Sequence, residues 1–187
     1  MARFFFLFIL LGSCLPTFCQ KVHVKINYIQ GTQNQSGDTI YYNPGRKLTW
    51  KDFKGAPKPN HFGGAVTASG FAYNADMEYD EKSIILNINV YTFFTRHDSW
   101  KKANINSSYH LEHEQKHFDI TYLNTLKFID QLKKARFTPG NFKVLPNQIF
   151  EKVYDENAAM QQKYDRETEH SINKEAQEIW NKRIDDQ

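Results

Sequence analysis

Apolar and polar side chains alternate from Val22 to Tyr28, with Val22, Val24, Ile26 and Tyr28 set against His23, Lys25 and Asn27. A period of two is that of a half-buried strand, and it turns His23 toward solvent. From Gln30 to Pro59 the chain is rich in Gly, Asn, Pro and Lys. That stretch reads as loops around two short extended pieces, Thr39 to Tyr42 and Leu48 to Phe53. Strand patterning returns at Ala65 to Asn74 and at Ser83 to Thr95, where Ile84, Leu86, Ile88 and Val90 alternate with Ile85, Asn87 and Asn89. Together these segments predict an N-terminal antiparallel sheet.

At Ser107 the period changes. Leu111, Phe118, Tyr122, Leu126 and Ile129 recur at helical spacing, and Lys133, Lys134, Arg136 and the Pro139-Gly140 pair close the run. A second helix opens near Pro146 and carries Ile149, Val153, Met160 and Tyr164. A third is marked by Ile172, Ala176, Ile179 and Trp180, with Asp165 to Ser171 lying between the two. Strands followed by helices, without repeats or low-complexity tracts, predict an α+β fold with helices packed on one sheet face.

The first residues change the picture of where this fold resides. One Arg precedes a run of Phe, Leu and Ile that is too short to span a bilayer, which is the form of a secretory signal. Cleavage after Cys19 is expected, giving a signal peptide over 1–19 and one domain over 20–187 in the periplasm or secreted. Leu11-Gly12-Ser13-Cys14 also resembles a lipoprotein box, so a lipid anchor on Cys14 is the alternative to a free protein. Both cysteines lie in the leader, so the mature domain has no disulfide framework and rests on its apolar core. The 24 basic and 21 acidic residues are scattered and leave a formal charge of +3, which gives no nucleic-acid footprint. No membrane span is expected in the mature domain, and the sequence leaves the oligomeric state open.

The chemistry concentrates in the first predicted helix. His113 and His117 are four residues apart, so both rings leave one face a turn apart and can share an ion. Glu114, beside them, lies too far round the helix to ligate but can take a proton from an activated water. Leu111 and Phe118 flank the motif, so this is a buried helix rather than the wet face that three polar residues would otherwise suggest.

A zinc site needs at least a third protein ligand. His110 is excluded, since it lies seven residues from His117, roughly 10 Å along a helix rising about 1.5 Å per residue. His170, in the charged cluster from Tyr164 to His170, is the leading candidate, with Asp165 and Glu169 as oxygen-donor alternatives. Whichever does not ligate can orient a ligating imidazole. His61 and His97 lack ligand spacing and read as structural, and Tyr164 either donates to a developing oxyanion or fills core.

These residues carry a family resemblance. Leu48-Thr49-Trp50, Asp52-Phe53, Ser99-Trp100, His113-Glu114-Gln115 with His117-Phe118-Asp119-Ile120, then Tyr164-Asp165 with Glu167-Thr168 and His170 follow one another in order. This series resembles the bacterial domain of unknown function 922 family, whose members are commonly labelled secreted zinc-dependent proteases, and it covers most of the mature chain. The resemblance implies a zincin-like fold, metal ligation by His113 and His117, and a catalytic role for Glu114. The segment around His170 is similar to the family's second histidine motif, with Ser171 where a glycine is expected. In zincin-like proteases an edge strand aligns the substrate, and Ser83 to Thr95 is the candidate here.

The expectation is therefore an exported zinc metallopeptidase in which His113, His117 and His170 hold Zn2+ and Glu114 is the general base. The rival reading is an exported zinc-binding or interaction module without turnover, and a third is a β-rich binding protein with idle histidines.

Overall fold

The alternation at Ser83 to Thr95 becomes strand β5 (Ser83–Thr95), whose residues Ile84, Leu86, Ile88, Val90, Thr92 and Phe94 are buried while those between are half covered. The computed structural model describes residues 20–187, so the expected leader, its cleavage after Cys19 and the lipid site at Cys14 lie outside the described residues. Strand β1 (Lys21–Tyr28) runs parallel to the first part of β5, in a register that pairs Val24 with Leu86 and Ile26 with Ile88. Strand β2 (Thr39–Tyr41) runs antiparallel to the end of β5.

After β2 comes strand β3 (Ala65–Val66), then β4 (Ser69–Tyr79), antiparallel to β5 along nearly its whole length. The β4–β5 turn is held by Asp80, whose Oδ1 accepts from the backbone N–H groups of Lys82 at 2.7 Å and Ser83 at 2.6 Å.

The sheet is thus mixed, where alternation alone suggested an antiparallel one. Alternation fixes which face of a strand is buried and says nothing about the direction of a distant partner. The same pairing corrects the expectation that Ser83 to Thr95 is an edge strand for substrate. β5 is hydrogen-bonded to β1 and β2 on one side and β4 on the other, so its backbone groups are already used.

Two other segments differ from their sequence reading. Leu48 to Phe53 is not extended but holds a 3-10 turn at Trp50–Asp52. Asp52 Oδ2 accepts from the Thr49 N–H at 2.8 Å and from the Thr49 hydroxyl at 3.0 Å, which stops the chain from extending. The single strand expected over Ala65 to Asn74 is split. β3 pairs with β6 (Trp100–Lys101), and at Ala68 the N–H turns to Ser99 Oγ, 2.9 Å away, before the chain joins β5 as β4.

Three helices follow, as the change of period predicted. Helix α1 (Ser108–Lys134) starts at Ser107, whose side chain accepts from the His110 N–H at 3.2 Å, and ends on Lys133 and Lys134. Helix α2 (Leu145–Thr168) opens with Pro146 in its first turn. Helix α3 (Lys174–Asp185) is capped by Asn173, which accepts from the Ala176 N–H at 3.1 Å. The order is strands first and helices afterwards, an α+β fold.

α1 is central because three apolar clusters meet it. Phe128, Ile129 and Leu132 pack on Leu86, Ile88 and Val90 of the sheet and Val153 of α2. Phe118 joins Ile40, Tyr42, Leu48, Phe53 and Phe94. Ile120 meets Tyr164 of α2 and Trp180 and Ile184 of α3. Each such side chain contributes about 1.5–3 kcal/mol on burial, so α1 is held in place from several directions.

Polar ties set its axial position. Gln115 Oε1 accepts from the Leu48 N–H at 2.7 Å, its amide nitrogen donates to Asp119 Oδ1 at 2.8 Å, and the Tyr42 hydroxyl donates to the same oxygen at 2.9 Å. The Leu48-Thr49-Trp50 segment is thereby fastened to the helix that carries the histidines.

Candidate metal centre

α1 delivers His113, Glu114 and His117 to one place, and α2 brings Asp165 to meet them. Asp165 belongs to the last turns of α2, which continues to Thr168, so the segment read as a link between helices is helical in its first part. The Nε2 atoms of His113 and His117 are 3.3 Å apart, and Asp165 Oδ1 lies 3.2 Å from the first and 3.1 Å from the second. Among the described residues these donor atoms form a group that could hold a metal ion, all within 4.8 Å of one another.

His170 occupies a different position from the one expected of a third ligand. Its Nδ1 lies 3.3 Å from Asp165 Oδ1, the oxygen that the two imidazoles also face, and it is not a member of the three-donor group. Asp165, an alternative in the sequence reading, takes the third place, and Glu169 is not among the three donors. The reason lies in local backbone: Asp165 is on the regular part of α2, four residues before the C-cap Glu169, where the chain leaves the helix with φ 48°.

The two imidazoles are fixed from behind. His113 Nδ1 faces Gln177 Oε1 of α3 at 3.1 Å, and His117 Nδ1 faces Gln161 Oε1 of α2 at 2.6 Å. The Tyr164 ring stacks on His113 with centroids 4.6 Å apart and meets His117 edge-on at 5.0 Å. Tyr164 is fully buried and its hydroxyl points to the His113 carbonyl at 3.5 Å, so of its two candidate roles the structure displays the packing one.

Glu114 lies beside the donors and is buried. The Thr67 hydroxyl, in the break between β3 and β4, lies 2.7 Å from Glu114 Oε2 and 3.1 Å from the Glu114 backbone carbonyl. Oε1 accepts no hydrogen bond from the described residues and is the oxygen available to a reactant. Burial pushes the Glu114 carboxyl above its ordinary range, against the opposing influence of His117 and the Thr67 hydrogen bond.

The electrostatics of the donors are uneven. Burial pulls His113 down from 6.5 to about 4, with Asp165 only partly opposing it. Burial also works against a charged His117, but its hydrogen bond to Asp165 and the charges of Asp165 and Glu114 outweigh this and raise it to about 9. Asp165 is itself desolvated, yet the two imidazoles hold it well below the usual carboxylate range. The metal-free site therefore keeps a proton on His117 beside an ionised Asp165 at neutral pH.

The donors open onto a cleft of about 740 Å³, lined also by the segment from His61 to Thr67 and by Glu169 to Ile172. His61, read as structural, lines this cleft, with its Nδ1 accepting from the Gly63 N–H at 3.1 Å and its ring stacked on Phe62. Phe62 reaches on to His170, ring centroids 4.5 Å apart. His110 also lines the cleft and faces Ser107 at the start of α1. His97 is on the surface, paired with Asp38.

Thr67, Gln161 and Gln177 were not singled out from the sequence. No fixed spacing ties them to the histidine motif, because they come from the sheet and the two later helices. The nearest signal is that Gln177 shares a helix face with the apolar Trp180 and Ile184, three and seven residues further on.

Comparison with known protein families, with curated proteins and with solved structures finds no match to this chain.

Proposed function

We propose that the protein is a zinc-dependent metallohydrolase that cleaves peptide bonds, with His113, His117 and Asp165 as ligands and Glu114 as general base. One observation carries this reading: the triangle of His113 Nε2, His117 Nε2 and Asp165 Oδ1, with edges of 3.3, 3.2 and 3.1 Å. Zinc bonds of about 2.0–2.1 Å in tetrahedral geometry require donor atoms about 3.3 Å apart. Two imidazole nitrogens and a carboxylate oxygen also match zinc in chemistry, and three protein donors leave one position for water or substrate. The resemblance to the domain of unknown function 922 family points the same way.

When bound, zinc supplies a Lewis acid that lowers the pKa of water to about 7 and polarises a carbonyl. Glu114 takes the water proton on Oε1 and later gives it to the leaving amine nitrogen. Thr67 holds Oε2, so the carboxylate cannot swing away from the reacting atoms. Raised by burial, the Glu114 carboxylate has a higher proton affinity than an ordinary one and is the stronger base toward the water. His170, its Nδ1 3.3 Å from Asp165 Oδ1, lies against that carboxylate and helps to keep it beside the two imidazoles.

Substrate is proposed to lie along Ala65 to Thr67. β3 forms part of the cleft wall and is paired among the described residues only with β6, which leaves backbone groups for main-chain pairing with an extended peptide. Export to the periplasm or exterior, with or without a lipid on Cys14, rests on the leader sequence. No helix among the described residues is long and apolar enough to cross a membrane.

The test is zinc content and peptide hydrolysis on protein purified without a histidine tag. Wild type is expected to bind one zinc and to lose hydrolysis in chelator. Glu114→Gln should retain zinc and lose at least about 100-fold in kcat. Asp165→Ala should weaken zinc binding far more than His170→Ala. Zinc binding by wild type without cleavage of any member of a broad peptide library would leave the non-catalytic zinc module instead. Absence of stoichiometric zinc from wild type would dispose of both.

A further inference from the structure

Gln177 is a primary amide with no exposed surface, on a helix otherwise fastened by Trp180 and Ile184. Burying an amide without partners costs about 1–3 kcal/mol on protein scales, so its two contacts identify its role. Its amide nitrogen lies 3.4 Å from the Tyr109 carbonyl, and its oxygen faces His113 Nδ1 at 3.1 Å. Gln161 repeats the arrangement on α2. Its nitrogen donates to the His117 carbonyl at 2.9 Å and to Thr121 Oγ1 at 3.0 Å, and its oxygen faces His117 Nδ1 at 2.6 Å.

A backbone carbonyl can only accept, so in both residues the NH₂ group must point at it and the amide oxygen must point at the imidazole. An amide oxygen can only accept in turn, which requires each Nδ1 to carry a hydrogen. Both imidazoles are thereby left free to use Nε2 as the metal-facing atom.

We propose that Gln161 and Gln177 are positioning residues that fix the tautomer and ring orientation of the two zinc-binding histidines, one glutamine from each of the later helices. The assignment rests on the zinc reading given above. Ligating histidines are usually steadied by a carboxylate, a backbone carbonyl or water. Here the support is neutral on both sides, in a site where Asp165 and Glu114 already supply two negative charges against a divalent cation. A carboxylate at either position would steady the ring equally but add a third negative charge. The two amides therefore bring α2 and α3 into the metal site without altering its charge balance.

The experiment combines zinc affinity, by competition with a chromophoric chelator, and long-range proton–nitrogen NMR of the zinc-loaded protein. In wild type both histidines should show hydrogen on Nδ1 and none on Nε2. Gln161→Leu and Gln177→Leu should each weaken zinc binding about 10- to 100-fold. Gln161 is only partly buried, so its leucine variant carries the test if the fully buried site does not tolerate leucine. Wild type that binds zinc, with both leucine variants unchanged in affinity or with hydrogen on Nε2 of either histidine, overturns the assignment alone. Wild type that binds no zinc removes the site reading and this assignment together.

Discussion

Ser171 is a buried residue with φ 74°, and it follows Glu169 at 48° and His170 at 52°. Left-handed backbone costs an L-residue about 1–2 kcal/mol, and three in succession are needed to end α2 and fold His170 back over Asp165. The turn is tied down by the His170 N–H donating to the Asp165 carbonyl at 2.9 Å. The glycine expected at this position from the family resemblance has a physical reason, since only glycine adopts such a φ without strain. Ser171→Gly should therefore stabilise the protein by about 0.5–1 kcal/mol in urea denaturation, the relief of strain exceeding the entropy that glycine adds to the unfolded chain. Zinc affinity should not fall. At this scale His113, Glu114 and His117 were legible because their relation is set by helical geometry within five residues. Asp165 as third donor was legible only as one of several, because the choice depends on where α2 stops.

α3 shows how a helix can be found correctly and faced differently. Apolar spacing pointed to Ile172, Ala176, Ile179 and Trp180, whereas the buried positions are Gln177, Trp180 and Ile184, and Ile172 and Ile179 are 76% and 53% exposed. A reading based on apolar residues cannot assign a glutamine to the core, and here the glutamine is buried to meet His113. Trp180 anchors this face: its ring meets Tyr164 edge-on at 5.5 Å, and its Nε1–H donates to Glu167 Oε2 at 2.8 Å. Trp180→Ala should cost about 3–5 kcal/mol and weaken zinc binding as well, because Tyr164 stacks on His113. Ile179→Ala should change stability by no more than about 0.5 kcal/mol. Denaturant unfolding of the two variants distinguishes the faces.

Across the whole molecule, the two histidines make the metal-free protein sensitive to pH in opposite senses. His117 holds its proton more tightly when folded, with a pKa raised from 6.5 to about 9. Its contribution to stability is complete below the unfolded value and lost as pH rises through about 9. His113 holds its proton less tightly when folded, with a pKa lowered from 6.5 to about 4. Its contribution is complete above the unfolded value and lost as pH falls toward about 4. Thermal midpoints of the metal-free protein should decline on both sides of neutrality, and His117→Asn should remove the alkaline decline alone. Zinc must displace the proton on His117, so its apparent affinity should climb with pH until about 9.

The chain by itself determined the order of strands and helices, the buried face of β5 and the pairing of His113 with His117, because each depends on periodicity or spacing between near neighbours. It did not determine that β1 lies parallel to β5, that β5 is enclosed on both sides, or that Thr67, Gln161 and Gln177 surround the histidines. Those relations join residues tens of positions apart, and only the packing of α1 between the sheet and the two later helices decides them. Asp165 stands at the boundary. Its residue type marked it as a possible donor, and the length of α2 brought its oxygen to within 3.2 Å of both imidazoles.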